Sequence, residues 1–395
     1  MLLVLLVAAW FGQVLVVILA GLVLSAAGIA KLWSRFSLVG VRCERFLSEQ
    51  RLFPGEHIEL RLRLVNRKLL PLPWVQVDDE IPAGWAAGTA TRPGSRPGFD
   101  FLSYAGSLLW YTGISWRHRL QVSKRGYYSL GPVMVTSGDI FGFYPRSVPQ
   151  PLIDHVIVYP RIFQLAQLGL PSLYPLGETK AERRIFADPT RTIGVRDYSP
   201  HDSLRYIHWK ASARHQKLQV KVFEPTTTLK VALFLAVDSF QQNEGVNAEP
   251  DFELGISTVA SIANYVVQQR SPVGLYVNAC LSGSGQPVRI PPGSGVTQLV
   301  NILESLAKIT LLPSGSFDQF LESEWSSLPW GTTLIIVISK PLDSLSGLLT
   351  RLREAGYKLL VLQVGEWPGG SVSQVAWYYV KRPGNLIEFA SRETQ

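Results

Sequence analysis

The first thirty residues of this chain, MLLVLLVAAWFGQVLVVILAGLVLSAAGIA, hold no charged side chain and one strongly polar one, Gln13. As a helix such a run is about 45 Å long, enough to cross a hydrocarbon core of about 30 Å once but not twice. Ser25, Ala27 and Ala30 could serve a signal peptidase. Against cleavage, the apolar run far exceeds the ~7–15 residues of a signal core, and no basic side chain precedes it. We therefore expect an uncleaved single-pass anchor over residues 1–30. Lys31, Arg35, Arg42 and Arg45 follow it, so the positive-inside rule places the bulk of the chain in the cytoplasm.

A chain of 395 residues has room for two or three domains at about 150 residues each. Its 17% of charged residues falls below the soluble average of about 25%, which fits a membrane segment or very apolar interiors. The net charge of +8 admits an anionic partner, but no nucleic-acid-binding motif accompanies it and specific nucleic-acid binding is not expected. Cys43 and Cys280, the two cysteines, offer neither a disulfide framework nor zinc spacing.

From about Val41 the pattern becomes short and alternating. Ile58, Leu60, Leu62 and Leu64 point one way, Glu59, Arg61 and Arg63 the other, the mark of a half-buried strand. Similar runs at Trp74–Val77, Leu108–Tyr111, Ile114–Val122, Tyr127–Leu130, Val133–Thr136 and Val156–Tyr159, divided by turn residues, predict a β-sandwich over residues 38–160. The Gly- and Pro-rich stretch Pro82–Gly98 predicts a long mobile surface loop. Residues 161–228 read as a connector. Beyond it, the apolar run Lys230–Val237 suits a strand buried on both faces. A helix ending near Arg270 follows, then strand Val273–Val277, helix Val296–Ala307, strand Leu334–Ser339, helix Leu342–Ala355, strand Lys358–Val364 and edge pieces at Val375–Val380 and Leu386–Phe389. Strands alternating with helices predict an α/β domain with right-handed crossovers over residues 229–395.

The connector carries the densest chemistry. Between Arg183 and Lys217 stand eight basic residues and three acids, a balance of 8 − 3 = +5 within the total of +8. Ser199-Pro200 followed by Asp202 reads as a helix start, with Ile207 and Trp209 anchoring the connector to the core, Asp202 bracing it against a neighbouring arginine, and Arg196, Arg205, Lys210 and Arg214 turned to a partner. His208 is the histidine of this stretch that catalysis could use. A cysteine- or histidine-dependent hydrolase or acyl transferase would need Cys43, or Cys280 paired with His208 or His215 by the fold. A third reading is adsorption of the +5 stretch to anionic lipid or RNA. No GxSxG, HExxH or GxxxxGK[ST] motif is present, and no catalytic residue is assigned.

The order Gly194-Val-Arg-Asp-Tyr-Ser-Pro-His-Asp-Ser-Leu-Arg-Tyr-Ile-His-Trp-Lys-Ala-Ser-Ala-Arg214 resembles the signature of the bacterial domain-of-unknown-function family 58. Supporting pieces are Phe53-Pro54-Gly55-Glu56, Asn66, Pro71-Leu72-Pro73-Trp74, Gly126–Pro132, Asp139 with Phe141-Gly142, and Val158-Tyr159-Pro160-Arg161. The resemblance implies an inner-membrane protein with an immunoglobulin-like segment and a von Willebrand factor A-like domain, non-enzymatic. It would act as a co-chaperone in assembly with a MoxR-type AAA+ ATPase, beside a transglutaminase-like membrane protein and membrane lipid. The metal motif of such domains, D-x-S-x-S, is degenerate in Asp238-Ser239-Phe240-Gln241-Gln242. Asp238 and Ser239 are the remaining candidates for Mg²⁺, and no resident cofactor is expected.

Overall fold

The computed structural model describes residues 10–86, 88–164, 187–199, 206–225, 230–241, 248–281, 286–329, 331–340, 345–365 and 375–380. The chain divides into two compact units, residues 1–161 and 162–395.

The first unit opens with α1, Val14–Ser37, the one helix among the described residues long and apolar enough to cross a membrane. Its 24 residues span about 36 Å. It runs past the expected end at Ala30 because nothing from Lys31 to Ser37 breaks a helix. The chain turns at Gly40, whose φ of 74° glycine adopts without steric cost. Residues 1–9 of the expected anchor lie outside the described residues.

Three sheets follow. β1 (Val41–Leu47) pairs with β3 (His57–Asn66), which pairs with β7 (Gly113–Gln121). β4 (Leu72–Pro82) lies between β9 (Val133–Ser137) and β6 (Phe99–Leu108), with β10 (Arg146–Gln150) and β5 (Arg92–Pro93) at the edges. β11 (Asp154–Val158) joins β2 (Arg51–Leu52) and β8 (Gly126–Leu130). Inward residues from all three share one core, with Ile58, Leu60, Leu62 and Leu64 of β3 fully buried. Each contributes about 1.5–3 kcal/mol relative to exposure, and a one-residue slip would turn all four to solvent.

Two expectations for this unit are corrected. The strand placed at Leu108–Tyr111 lies upstream, in β6; the chain turns at Tyr111, whose φ is 53°. Pro82–Gly98 runs along the surface over most of its described length but is pinned rather than free, since Trp85 is buried in the core and its carbonyl accepts from Gln121 N at 2.8 Å. Arg96 in the same stretch pairs with Glu80 at 2.9 Å.

The second unit opens with a hairpin of β12 (Ala187–Asp197) and β13 (Gln219–Pro225), with the short helix α2 (Trp209–His215) between them. The separate α/β sheet has the order β16-β15-β14-β18-β19-β20: Pro287–Gly293, Val273–Leu281, Lys230–Leu235, Thr332–Ile338, Lys358–Val364 and Ala376–Val380. β15, β14, β18, β19 and β20 run parallel. β14 is buried on both faces beyond Lys230, as its uninterrupted apolar sequence requires. α3 (Val237–Gln241), α4 (Ala248–Gln268), α5 (Val296–Lys308), α6 (Phe317–Glu324) and α7 (Leu345–Glu354) complete the alternation. β16 and β17 (Ile309–Pro313), both antiparallel to β15, and α6 were not expected. The edge piece at Val375–Val380 is present as β20; Leu386–Phe389 lies outside the described residues.

Candidate functional site

In an open parallel sheet, loops leaving the carboxyl ends of the strands meet ligands where the strand order reverses. Here that point lies at the β14/β18 pair, because the chain leaves β14 for β15 on one side while β18 lies on the other. Asp238 and Ser239 begin the segment after β14, and Ser339 ends β18's side of the crevice.

These groups are committed to one another. Asp238 Oδ1 accepts from Ser239 N at 3.1 Å and from Asn278 Nδ2 at 3.0 Å, and Oδ2 accepts from Phe317 N at 2.9 Å. The fully buried Ser239 hydroxyl donates to Ala236 O at 2.6 Å and accepts from Ser339 N at 3.0 Å, so it stitches the two strands together across the reversal point. Phe240, at a position where a hydroxyl ligand is needed, is buried in the core, and Gln242 lies outside the described residues. Each Asp238 oxygen and the Ser239 hydroxyl already serves a protein group, and Phe240 supplies no oxygen, so the described residues here offer too few ligands for a divalent cation. Among the described residues no cluster of three or more His, Cys, Asp or Glu could hold a metal.

Asn278, which the sequence reading passed over, organises this edge. Its Oδ1 accepts from Val237 N at 2.7 Å, while Nδ2 also donates to Gly315 O at 3.1 Å. The available signal was an amide inside the apolar strand Val-Gly-Leu-Tyr-Val-Asn-Ala-Cys-Leu, since a buried polar side chain persists only with partners.

The signature stretch forms a platform of a different kind. Val220 of β13 pairs with Arg196 of β12 on one side and bridges Ile207 on the other. Tyr198 N donates to Leu218 O at 2.9 Å and His208 N to Gln219 O at 2.8 Å. Ser212 Oγ donates to His208 O at 3.1 Å and accepts from Gln219 N at 2.9 Å, and Gln219 Nε2 donates to Asp197 Oδ1. Residues 200–205, where a helix was expected to start after Ser199, lie outside the described residues; α2 begins at Trp209, and His208 is its N-cap, with Nδ1 accepting from Ala211 N at 3.0 Å. A histidine nitrogen used as a cap is not available as a base.

Ile207 is buried, as an anchor should be. Trp209 is not; its side chain is 69% exposed, so the anchoring read for it belongs to Ile207. Arg196, Lys210 and Arg214 are exposed as well. Asp202 and Arg205 lie outside the described residues.

Cys43 does not sit in an activating environment. Cys43 is buried in the core of the first unit, and burial, with the Asp79 carboxylate nearby, pushes its thiol up to about 12; a thiolate nucleophile needs the opposite shift. Cys280 is half-buried on β15.

The first unit also hides an ion cluster that sequence reasoning read as a flanking charge. Arg45 turns inward, its side chain fully buried. It pairs with the equally buried Asp79, and with Asp154 at 3.0 Å, and donates to Leu130 O at 3.2 Å. Burial raises the Asp79 carboxyl to about 6 against the opposing pull of Arg45, and pushes the neighbouring Tyr104 hydroxyl up too.

Residues 194–364 match the family described as "Protein of unknown function DUF58". A curated relative, the "Uncharacterized protein YeaD" of Bacillus subtilis, is 24% identical over 257 residues. The match covers 62% of this chain and 58% of that protein. Among solved structures, the CARDB domain of the PF1109 protein of Pyrococcus furiosus aligns over 30% of this chain and 91% of its own, at 12% identity and a TM-score of 0.20. The sporulation control protein Spo0M of Bacillus subtilis aligns over 30% and 49%, at 10% identity and a TM-score of 0.19.

Proposed function

We propose, from the match of residues 194–364 to the DUF58 family, a membrane-anchored docking protein that binds its partner through the β12–β13–α2 platform. One observation carries the proposal. The platform's Asp197, His208, Ser212 and Gln219 spend side-chain polar groups on one another and on the local backbone, while Arg196, Trp209, Lys210 and Arg214 stand exposed on it. Arg and Trp are the residue types that dominate binding hot spots, and a rigid scaffold lowers the entropy cost of presenting them.

In this reading α1 crosses the bacterial inner membrane once, with both units in the cytoplasm. Lys31, Arg35 and Arg42 support that orientation; Arg45 is spent on the core. The sheet-rich unit serves as an immunoglobulin-like spacer and the α/β unit as a von Willebrand factor A-like domain that works without a cation at Asp238. The family resemblance supplies the partner, a MoxR-type AAA+ ATPase, and the role, co-chaperone in assembly of other proteins alongside a transglutaminase-like membrane protein. A photo-cross-linking residue at position 209 of the full chain in bacterial membranes should capture that ATPase, whereas one at position 50 should not. Capture from both positions alike would refute the platform as the docking site.

A further inference from the structure

The end of α1 is fastened to the first unit by side chains that reach its terminal carbonyls. Lys68 Nζ donates to Phe36 O and Val39 O, each at 2.7 Å, and to Ser37 O. Arg146 Nη1 donates to Arg35 O at 2.8 Å, and Ser34 Oγ to Tyr144 O at 2.6 Å. Cations at a helix C-terminus also meet the negative end of its dipole. The loops that supply these contacts are themselves braced. Asn66 Nδ2 donates to Leu70 O and Leu109 O, both at 2.9 Å, and Asp139 accepts from Tyr144 N at 2.7 Å and Phe141 N at 3.0 Å.

Around this joint the same loops expose Leu69, Trp110, Tyr111, Ile140, Phe141 and Phe143; Phe143 is 74% and Trp110 56% accessible. So much large apolar surface in one place is uncommon on a soluble face. It is also maintained at a cost, because Tyr111 holds a φ of 53°, a left-handed conformation unfavourable to a bulky side chain. Exposed Lys31, Arg35, Arg67 and Arg146 rim the patch.

Resting on the reading of α1 as a span, we propose that these loops form a collar seated in the headgroup layer of the membrane that α1 crosses. The helix decides the occupant. Its apolar stretch ends at Lys31, and Ser34 and Arg35, which these loops grip, lie three and four residues on, about 4.5–6 Å of rise. A headgroup layer is about 5–8 Å thick, so loops pinned to the last turn of α1 sit at its level. Tryptophan and tyrosine prefer that layer, where an apolar ring and a polar edge are both satisfied, and the basic rim suits anionic lipid.

The test uses the full-length protein with Cys280→Ser, in vesicles of phosphatidylethanolamine and phosphatidylglycerol, spin-labelled singly at Trp110→Cys, Phe143→Cys, Leu22→Cys or Gln50→Cys. Accessibility to oxygen, which partitions into lipid, is compared with that to a water-soluble nickel chelate. The collar predicts an oxygen-to-nickel ratio at positions 110 and 143 severalfold above that at 50 and below that at 22. A lipid-like ratio at 22 with water-like ratios at 110 and 143 would overturn the collar and leave the anchor standing. A water-like ratio at 22 would overturn both. Protection of 110 and 143 from both reagents would mean a protein cover and would also overturn the collar.

Discussion

Asn278 holds Asp238 in place: its Nδ2 donates to Asp238 Oδ1 at 3.0 Å, while its own Oδ1 accepts from Val237 N at 2.7 Å. The pair ties the ends of β14 and β15 together where an open α/β sheet would otherwise expose a crevice. Replacing Asn278 by leucine leaves Val237 N and Asp238 without those partners. An unsatisfied buried group costs about 1–3 kcal/mol, so Asn278→Leu should lower the denaturant midpoint of the full chain by a corresponding amount. A midpoint unchanged from wild type would show that the amide does not organise this edge.

The buried Arg45–Asp79 pair predicts a double-mutant result. Arg45→Met alone leaves Asp79 buried without its cation and should destabilise by about 3–5 kcal/mol. Arg45→Met with Asp79→Leu removes both charges and should recover much of that loss. Additive losses in denaturation would contradict the pairing.

Asp79 also fixes a pH dependence. Its folded value near 6 stands above the ordinary 3.8, so the folded state holds the proton more tightly than the unfolded one. The stability this gives is present below about pH 4 and declines as pH rises to about 6, by on the order of 1–3 kcal/mol. Asp79→Asn should flatten that segment of the stability profile. A wild-type profile that rises over the same window, through this residue, would reverse the sign.

Cys43 should resist alkylation in the native protein at pH 8 and react only on unfolding, since burial has pushed its thiol up to about 12. Mass spectrometry after timed iodoacetamide treatment reads this directly. Native-state modification of Cys43 as fast as of Cys280 would show the core to be open.

Ile207 and Trp209 separate structure from contact. Ile207 is buried and bridges Val220, so Ile207→Ala should cost about 2–5 kcal/mol. Trp209 is exposed, and Trp209→Ala should change stability by no more than about 0.5 kcal/mol while weakening partner capture. Equal destabilisation by both would return Trp209 to the core.

Much of the fold was legible because local pattern and burial agree. The alternation in β3, the unbroken apolar run of β14 and the 3.6-residue spacing in α4 each point one way. What escaped notice depended on distant partners. β16 carries Pro287, Pro291 and Pro292, which argue against a strand until its place at a sheet edge is known. Arg45 resembled a cytoplasmic flank charge until β4 supplied Asp79. Trp85 sat in a stretch whose glycines and prolines suggested mobility, yet its ring fills the core. In the signature the residue order was informative while side-chain directions were not: Trp209 turns out and His208 is used as a cap.

The proposed docking runs through the platform's exposed cations and Trp209. The direct measurement is the affinity of the full-length protein in nanodiscs for a purified MoxR-type AAA+ ATPase, for wild type and for Arg196→Glu/Lys210→Glu/Arg214→Glu. Wild type should bind, and charge reversal should weaken binding by at least about tenfold, or 1.4 kcal/mol, with stability retained. Binding of equal strength by both proteins, or by neither, would contradict it.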